Sequence, residues 1–87
     1  MSKKAIKFSA SWCHPCKMYA NIWDKVKSET EGWEFEEVDV DSNMELASNH
    51  GIKAVPTTVF SVEDKEVYRK SGLMSAKDLK DILQKNN

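Results

Sequence analysis

Alternating apolar and polar residues, together with a run of β-branched and aromatic residues at 57–62, predict four short β-strands in this chain. The strands cover residues 4–9, 33–40, 57–62 and 66–70. In the first of them Ile6 and Phe8 share one face, as the two-residue period of a strand requires. A turn at residues 63–65 separates the last two strands, so we expect these two to form a hairpin.

Apolar residues at helical spacing predict a long helix over about residues 13–31. The apolar stripe consists of Met18, Tyr19, Ile22, Trp23 and Val26. Its members recur at intervals of three and four residues, which brings them to one face of a helix. A glycine directly after a helix often takes a left-handed conformation that ends the helix. Gly32 follows the apolar stripe, so we expect the helix to end just before it.

Two shorter helices are predicted in the second half of the chain. The first follows Ser42 and Asn43, whose side chains can cap a helix, and it runs to about residue 49 before Gly51 closes it. The second begins at Ser75, which starts a pattern similar to a capping box. Its buried face consists of Leu79, Ile82 and Leu83.

The predicted order of elements is β-α-β-α-β-β-α, within one domain of residues 1–87. The first two strands are joined through a helix, and a connection of that length normally joins parallel strands. The hairpin adds antiparallel strands to the same sheet. We therefore expect an α/β fold with a four-stranded mixed sheet and helices on both of its faces.

Charge and composition exclude several classes of partner. The 13 Lys and Arg residues are balanced by 14 Asp and Glu residues, giving a formal net charge of -1. This balance gives no electrostatic reason to expect a nucleic acid or an anionic membrane as partner. No apolar run has the length of a membrane span or of a signal peptide, so we expect a cytoplasmic protein.

The two cysteines, Cys13 and Cys16, form a single C-x-x-C pair at the predicted junction between the first strand and the first helix. Free amides and the dipole at a helix N-terminus stabilise an anion, which favours thiolate chemistry. We expect Cys13 to meet solvent and attack as the thiolate, and Cys16 to lie one turn inward and resolve the mixed disulfide. His14 can lower the pKa of Cys13 further, and Trp12 offers a flat apolar contact to a partner protein.

A metal site is the alternative interpretation of the cysteine pair. A tetrahedral zinc site needs four ligands, and outside the cysteines only His14 and His50 are comparable donors. Because His14 is too close in sequence to bind comfortably with both cysteines, a zinc site or an iron–sulfur cluster would need a second copy of the chain. We therefore expect a redox dithiol with no bound metal.

Three segments carry a resemblance to the thioredoxin family. The sequence W-C-H-P-C-K at residues 12–17 is similar to the family's active site, which usually reads W-C-G-P-C-K. Residues 51–57 resemble the segment that leads into the family's cis-proline, and residues 71–73 resemble its glycine loop. The resemblance implies that Pro56 is cis and faces the cysteines, that the Val55 backbone pairs with substrate, and that Gly72 completes the substrate groove.

The same resemblance implies an activity and a set of partners. It implies a thiol–disulfide oxidoreductase that reduces protein disulfides and holds no bound cofactor. The oxidised Cys13–Cys16 pair would be recharged by an NADPH-dependent thioredoxin reductase. We expect a monomer whose partners are that reductase and disulfide-containing proteins.

The chain also departs from the family pattern at three places. The family's first strand and helix have no counterpart before residue 4, so we expect a thioredoxin fold of minimal length. His14 and Pro15 stand where the family usually has Gly-Pro, and we expect His14 to make the pair somewhat more oxidising because it favours the Cys13 thiolate. Lys7 stands where the family has a buried Asp, and Glu37 stands where it has a Lys. We expect these two to form a charge pair of reversed sign beneath the site, with Glu37 as a base for Cys16.

Two alternative functions stay open on the sequence alone. One is a glutaredoxin-like enzyme recharged by glutathione, although Pro15 directly precedes Cys16 and the Gly-Gly or Gly-Asp pair typical of glutathione binding is missing at residues 71–73. The other is a docking subunit that uses the fold without catalysis. Assays with each recharging system separate the first from a thioredoxin, and replacement of both cysteines by serine tests the second.

Overall fold

The computed structural model describes residues 2–86 and has the element order expected from the sequence. The elements are β1 (Lys3–Ser9), α1 (His14–Glu29), β2 (Glu34–Asp39), α2 (Met44–Asn49), β3 (Thr57–Val62), β4 (Lys65–Ser71) and α3 (Ala76–Lys85). None of the helices within residues 2–86 has the length and apolar composition that a bilayer crossing requires.

The four strands form one mixed sheet in the order β2-β1-β3-β4. β1 pairs in parallel with β2 and antiparallel with β3, and β3 pairs antiparallel with β4. Lys7, near the middle of β1, therefore lies between Glu37 of β2 and Thr58 of β3. The carboxyl ends of β1 and β2 meet at one edge of the sheet, and the loops that follow them lie side by side.

Each face of the sheet has its own apolar core, which confirms the predicted helices on both sides. On one face α1 and α3 cover Ala5 of β1 and Phe60 of β3. On the other face Ala47 of α2 packs against Ile6 and Phe8. Because β1 contributes to both cores, four consecutive residues of this strand are buried. The loop that carries the cysteine pair follows directly after β1.

The buried face of α1 differs from the predicted one. Met18 was expected on the apolar stripe but is 53% exposed. The residues of α1 that are buried are Cys16, Tyr19, Trp23 and Val26. This row begins at the second cysteine, and its spacing of three and four residues is the spacing of one helical face. The helix is therefore oriented by its cysteine end and its aromatic residues rather than by Met18.

α1 also ends earlier than predicted. Thr30 leaves the helix in an extended conformation, and its N–H bonds to the carbonyl of Lys27. This conformation suits a β-branched residue. Gly32 has a φ of 87° and belongs to the connection rather than to the helix end. The connection returns the chain to the sheet and buries Trp33 in the core of the α1 face.

The other helix and strand ends agree with those predicted from the sequence, with two corrections. Asn43 precedes α2, but its side chain makes no capping bond and instead donates to the carbonyl of Asp39. Lys65 pairs with Val62 at the start of β4, so the hairpin loop contains two residues rather than three. The predicted cap of α3 is confirmed, since the hydroxyl of Ser75 accepts a hydrogen bond from the Asp78 N–H.

Candidate active site

Cys13 and Cys16 are joined by a disulfide at the start of α1, with their Cα atoms 5.2 Å apart. Cys13 is the residue that caps the helix, and Cys16 lies in its first turn. The N–H of Cys16 donates to the sulfur of Cys13 at 3.2 Å. Pro15 fits between them because the first turn of a helix leaves its amides without intrahelical partners. The arrangement places the sulfur of Cys13 against a free backbone donor at a helix N-terminus, where negative charge is stabilised.

Cys13 is less accessible than the sequence led us to expect. The residue is only 4% exposed, because it packs with Ala10, Val40 and Val55. Its sulfur lies 3.6 Å from the carbonyl oxygen of Val55. Cys16 is buried to the same degree. The expectation of a solvent-facing Cys13 is therefore wrong for the disulfide form, since the segment before Pro56 folds over the sulfur.

The segment opposite the cysteines is held by backbone and hydroxyl contacts. The Val55–Pro56 peptide bond is cis. Gly72, with a φ of 88°, donates its N–H to the carbonyl of Pro56 at 2.8 Å. The hydroxyl of Thr57 donates to the carbonyl of Ala54 at 2.6 Å. Together with the contact between the Cys13 sulfur and the Val55 carbonyl, these bonds bring three distant parts of the chain, around residues 13, 56 and 72, to one end of the sheet.

Trp12 projects from the loop between β1 and α1 and is 68% exposed. Its indole N–H donates to the carboxylate of Asp41 at 2.8 Å, which fixes the orientation of the ring. Asp41 is not among the site residues that the sequence analysis predicted. A signal was available, because Asp41 follows β2 and the carboxyl ends of parallel strands β1 and β2 share one edge.

A shallow groove of about 190 Å³ begins at Trp12 and runs along the segment before Pro56. Its lining residues are Trp12, Val40, Ala47, Ile52, Lys53, Ala54 and Val55. The lining is largely apolar, and Val55 brings its backbone carbonyl close to the sulfur of Cys13. An extended peptide chain is the kind of ligand that suits such a groove, because its backbone and its apolar side chains both find contacts.

Lys7 and Glu37 form the ion pair that the sequence suggested. The Lys7 ammonium lies 3.0 Å from a carboxylate oxygen of Glu37. The lysine side chain is 2% exposed, whereas the glutamate side chain is 49% exposed. The ammonium also lies over the rings of Tyr19 and Trp23, 5.9 and 5.4 Å from their centroids. These contacts connect the pair to the active site through α1, which carries Cys16 in its first turn and Tyr19 in the next.

Tyr19 is a second buried polar residue on this face of the sheet. Its hydroxyl shares a hydrogen bond of 2.8 Å with the hydroxyl of Thr58. Burial raises the pKa of Tyr19 to about 12, and the bond to Thr58 opposes this shift. In the unfolded chain the same phenol titrates near its ordinary pKa of 10.0.

The raised pKa of Tyr19 predicts a specific loss of stability in alkali. Above about pH 10 the unfolded chain releases the tyrosine proton while the folded chain keeps it, so the free energy of unfolding falls until about pH 12. The loss from this group approaches about 3 kcal/mol for a shift of two pKa units. We expect Tyr19→Phe to remove this part of the fall, measured by urea unfolding near neutral pH and at about pH 12. An alkaline fall of equal size in both proteins would contradict the prediction.

Within residues 2–86, no three His, Cys, Asp or Glu side chains come close enough together to hold a metal ion. His50 instead packs its ring against Phe8, with the ring centroids 5.1 Å apart. Its Nδ1 lies 3.0 Å from the carbonyl oxygen of Leu46 in α2. His14, the other histidine, is exposed in the first turn of α1 beside the cysteines.

Comparisons with known proteins agree with this fold. The thioredoxin family model matches residues 2–85. A thioredoxin of Mycoplasmoides gallisepticum is 33% identical over 82 residues, which cover 94% of this chain and 82% of the relative. The X-ray structure of Fasciola hepatica thioredoxin superposes with a TM-score of 0.92 at 34% identity and covers 99% of this chain and 82% of that one. A malaria parasite thioredoxin-2 superposes with a TM-score of 0.93 at 27% identity, covering 97% of this chain and 82% of that one.

The family match spans nearly the whole chain, and the C-x-x-C pair is closed as a disulfide at the start of α1. Thioredoxins exchange disulfides with protein substrates through such a pair and need no bound cofactor. The chain belongs to the thioredoxin family and is a thiol–disulfide oxidoreductase.

Proposed function

We propose that the protein reduces disulfides in other proteins, with Cys13 as the attacking residue and Cys16 as the resolving one. The Cys13 thiolate attacks one sulfur of the substrate disulfide, and the other substrate sulfur leaves as a thiolate and takes up a proton. Cys16 then loses its proton and attacks Cys13 in the mixed disulfide. The second substrate sulfur is released as a thiolate and takes up a proton. The substrate has then gained two electrons, and the protein is left with an oxidised Cys13–Cys16 disulfide.

One observation carries this assignment of roles: the Cys16 N–H donates to the sulfur of Cys13 at 3.2 Å. The same backbone donor stabilises a thiolate on Cys13 when the disulfide is opened, because the amide stays in place at the helix N-terminus. His14 follows Cys13 directly and is exposed, so its positive form adds to this effect. Pro15 keeps the first turn closed between the two sulfurs.

The substrate binds along the groove that starts at Trp12. Trp12 supplies an exposed aromatic surface whose orientation is fixed by the bond to Asp41. The backbone of Val55 pairs with an extended segment of the substrate, and Pro56 and Gly72, which are hydrogen-bonded to each other, complete the substrate site next to Val55. The contact between the sulfur of Cys13 and the Val55 carbonyl supports this proposal, since it places the backbone edge beside the reacting atom.

The recharging partner is an NADPH-dependent thioredoxin reductase, and the working form is a monomer. A dithiol reductant is useful only where it can be kept reduced, so we place the protein in the cytoplasm. The groove that starts at Trp12 serves both partners in turn. The reductase delivers two electrons to the Cys13–Cys16 disulfide, and the reduced pair passes them to the substrate.

A turnover assay with two recharging systems tests the proposed function. The protein is mixed with a disulfide-bonded protein substrate and NADPH, and either thioredoxin reductase or glutathione with glutathione reductase. We expect NADPH consumption only with thioredoxin reductase. Consumption only with the glutathione system would favour the glutaredoxin-like alternative. If neither system supports turnover and the variant with both cysteines replaced by serine still binds the substrate, the protein is a docking subunit.

A further inference from the structure

Arg69 of the edge strand β4 is bonded to the end of α2, a contact to which the proposed function has given no role. The Nη2 group of Arg69 donates to the carbonyl oxygen of His50 at 2.8 Å. α2 ends at His50, and the last carbonyl groups of a helix have no partner within the helix itself. The arginine side chain therefore joins the end of α2 to the edge of the sheet.

A bulge in β4 brings Glu66 to the same side of the sheet as Arg69. The pairing register with β3 shifts between Phe60 and Ser61, which leaves Val67 as the extra residue. Side chains three residues apart on a regular strand point to opposite faces, and one extra residue between them reverses this. Glu66 consequently accepts two hydrogen bonds from Arg69, one from Nε and one from Nη2, each of 2.7 Å.

The two bonds to Glu66 fix the plane of the Arg69 guanidinium. Both side chains are partly exposed, at 36% and 40%, so the pair by itself contributes little to stability. A carboxylate that accepts two parallel bonds nevertheless sets the orientation of the guanidinium. The hydrogen bonds from Arg69 hold the pKa of Glu66 below its usual range, so the carboxylate stays ionised near neutral pH. The third bond, to His50, thus comes from a donor whose direction is already set.

The same strand also holds the other end of the segment that follows α2. The N–H of Gly72, directly after β4, donates to the carbonyl of Pro56 at 2.8 Å. Between the two bonded carbonyls lie residues 52–55, which line the substrate groove. This wall of the groove is therefore held at His50 through the side chain of Arg69 and at Pro56 through a backbone bond.

We propose that Arg69 is a positioning residue for protein substrates: by holding the carbonyl of His50, it fixes the start of the segment whose Val55 backbone pairs with the substrate. Within residues 2–86 the hydrogen bonds of Arg69 go to Glu66 and His50, so it acts through this segment and not on the sulfur atoms. A wall that is already in place loses less conformational freedom when an extended chain binds to it. The proposal rests on the substrate groove described under the proposed function.

The test compares two disulfides that differ in their use of the groove. Insulin offers polypeptide chain to the groove, whereas hydroxyethyl disulfide has none. The protein is reduced beforehand and mixed with each disulfide, and the loss of its thiols is followed by alkylation and mass spectrometry. Arg69→Met should lower the second-order rate constant for insulin about tenfold and change that for hydroxyethyl disulfide less than about twofold, because the substrate is misplaced while the sulfur chemistry is intact.

Lys70→Met is the matched control for Arg69→Met. It removes the same charge from the next residue of β4, whose exposed side chain points to the other face of the strand, so both rate constants should stay unchanged. Arg69→Lys keeps the charge but cannot make the paired bonds, and it should recover part of the insulin rate. Glu66→Gln weakens the orientation of the guanidinium and should cause a smaller loss than Arg69→Met. An unchanged insulin rate in Arg69→Met, or an equal loss with both disulfides, would overturn the proposal.

Hydrogen exchange gives a second readout that needs no substrate. The N–H groups of Gly51 and Ile52 bond to the carbonyls of Ser48 and Ala47 at the end of α2. Arg69→Met should speed the exchange of these two amides and leave the amides between β1 and β3 unchanged. Equal acceleration throughout the sheet would indicate a general loss of stability and would contradict the proposed role.

The wild-type protein separates this inference from the proposed function. If the reduced wild-type protein leaves insulin intact, the proposed function is wrong, and the role of Arg69 in substrate binding is wrong with it. If the wild-type protein reduces insulin and Arg69→Met does so equally fast, the proposed function stands and the role of Arg69 alone is wrong. Far-ultraviolet circular dichroism checks that each variant is folded.

Discussion

Replacing Cys16 with serine is expected to stop the reaction at its covalent intermediate. The Cys13 thiolate can still open a substrate disulfide, but no second sulfur is present to release the mixed disulfide. Turnover should fall by at least three orders of magnitude, since removal of a covalent catalytic group costs enzymes roughly 10⁴- to 10⁶-fold. The measurement is NADPH consumption in the presence of thioredoxin reductase, together with mass spectrometry of the trapped adduct.

Cys13→Ser is the matched control for this trap. It should show the same loss of turnover but form no adduct, because the attacking sulfur itself is missing. The adduct of Cys16→Ser should disappear when dithiothreitol is added, as a disulfide bond requires. An adduct formed by Cys13→Ser and not by Cys16→Ser would mean that the two roles are reversed.

Trp23→Ala is expected to have the largest effect on stability. The side chain is fully buried on the α1 face of the sheet and packs edge-on against Tyr19 and Phe35. Truncation of a buried tryptophan to alanine costs about 3–5 kcal/mol through lost burial and the remaining cavity. Since a native domain is stable by only about 5–15 kcal/mol, much of the protein should unfold in mild denaturant. Urea unfolding followed by circular dichroism measures the change.

Trp12→Ala is the corresponding control, since it removes a side chain of the same type from the protein surface. Trp12 is 68% exposed and has the bond to Asp41 as its specific contact. Its loss should change the free energy of unfolding by no more than about 1 kcal/mol, as surface changes usually do. A cost of Trp23→Ala no greater than that of Trp12→Ala would show that the α1 face is not the main core.

Local patterns predicted most of the fold. The order of the elements followed from periodicity, because a strand and a helix bury side chains at different intervals. The start of α3 at Ser75 and the hairpin of β3 and β4 followed from residues whose preferences act within a few positions. The cysteine pair was recognised for the same reason, since its spacing and its place before a helix are both local features.

Contacts between distant segments could not be predicted in the same way. The burial of Cys13 depends on Val55, which is 42 residues away along the chain. The exposure of Met18 depends on how α1 is turned against the sheet, which its own apolar stripe does not determine. The bond between Tyr19 and Thr58 depends on the packing of a helix on a strand. Asp41 is the exception, because the shared edge of β1 and β2 made its position predictable.

Because the active site is assembled from distant segments, folding and redox chemistry form one thermodynamic cycle. The environment of the cysteines includes Val40, Val55 and the amides of α1, and none of these contacts persists in an unfolded chain. Any difference between the reduction potentials of the folded and unfolded chain must therefore equal a difference in stability between the oxidised and reduced forms. At about 1.4 kcal/mol for each 30 mV, denaturant unfolding of the two forms measures how strongly the fold itself drives electron transfer.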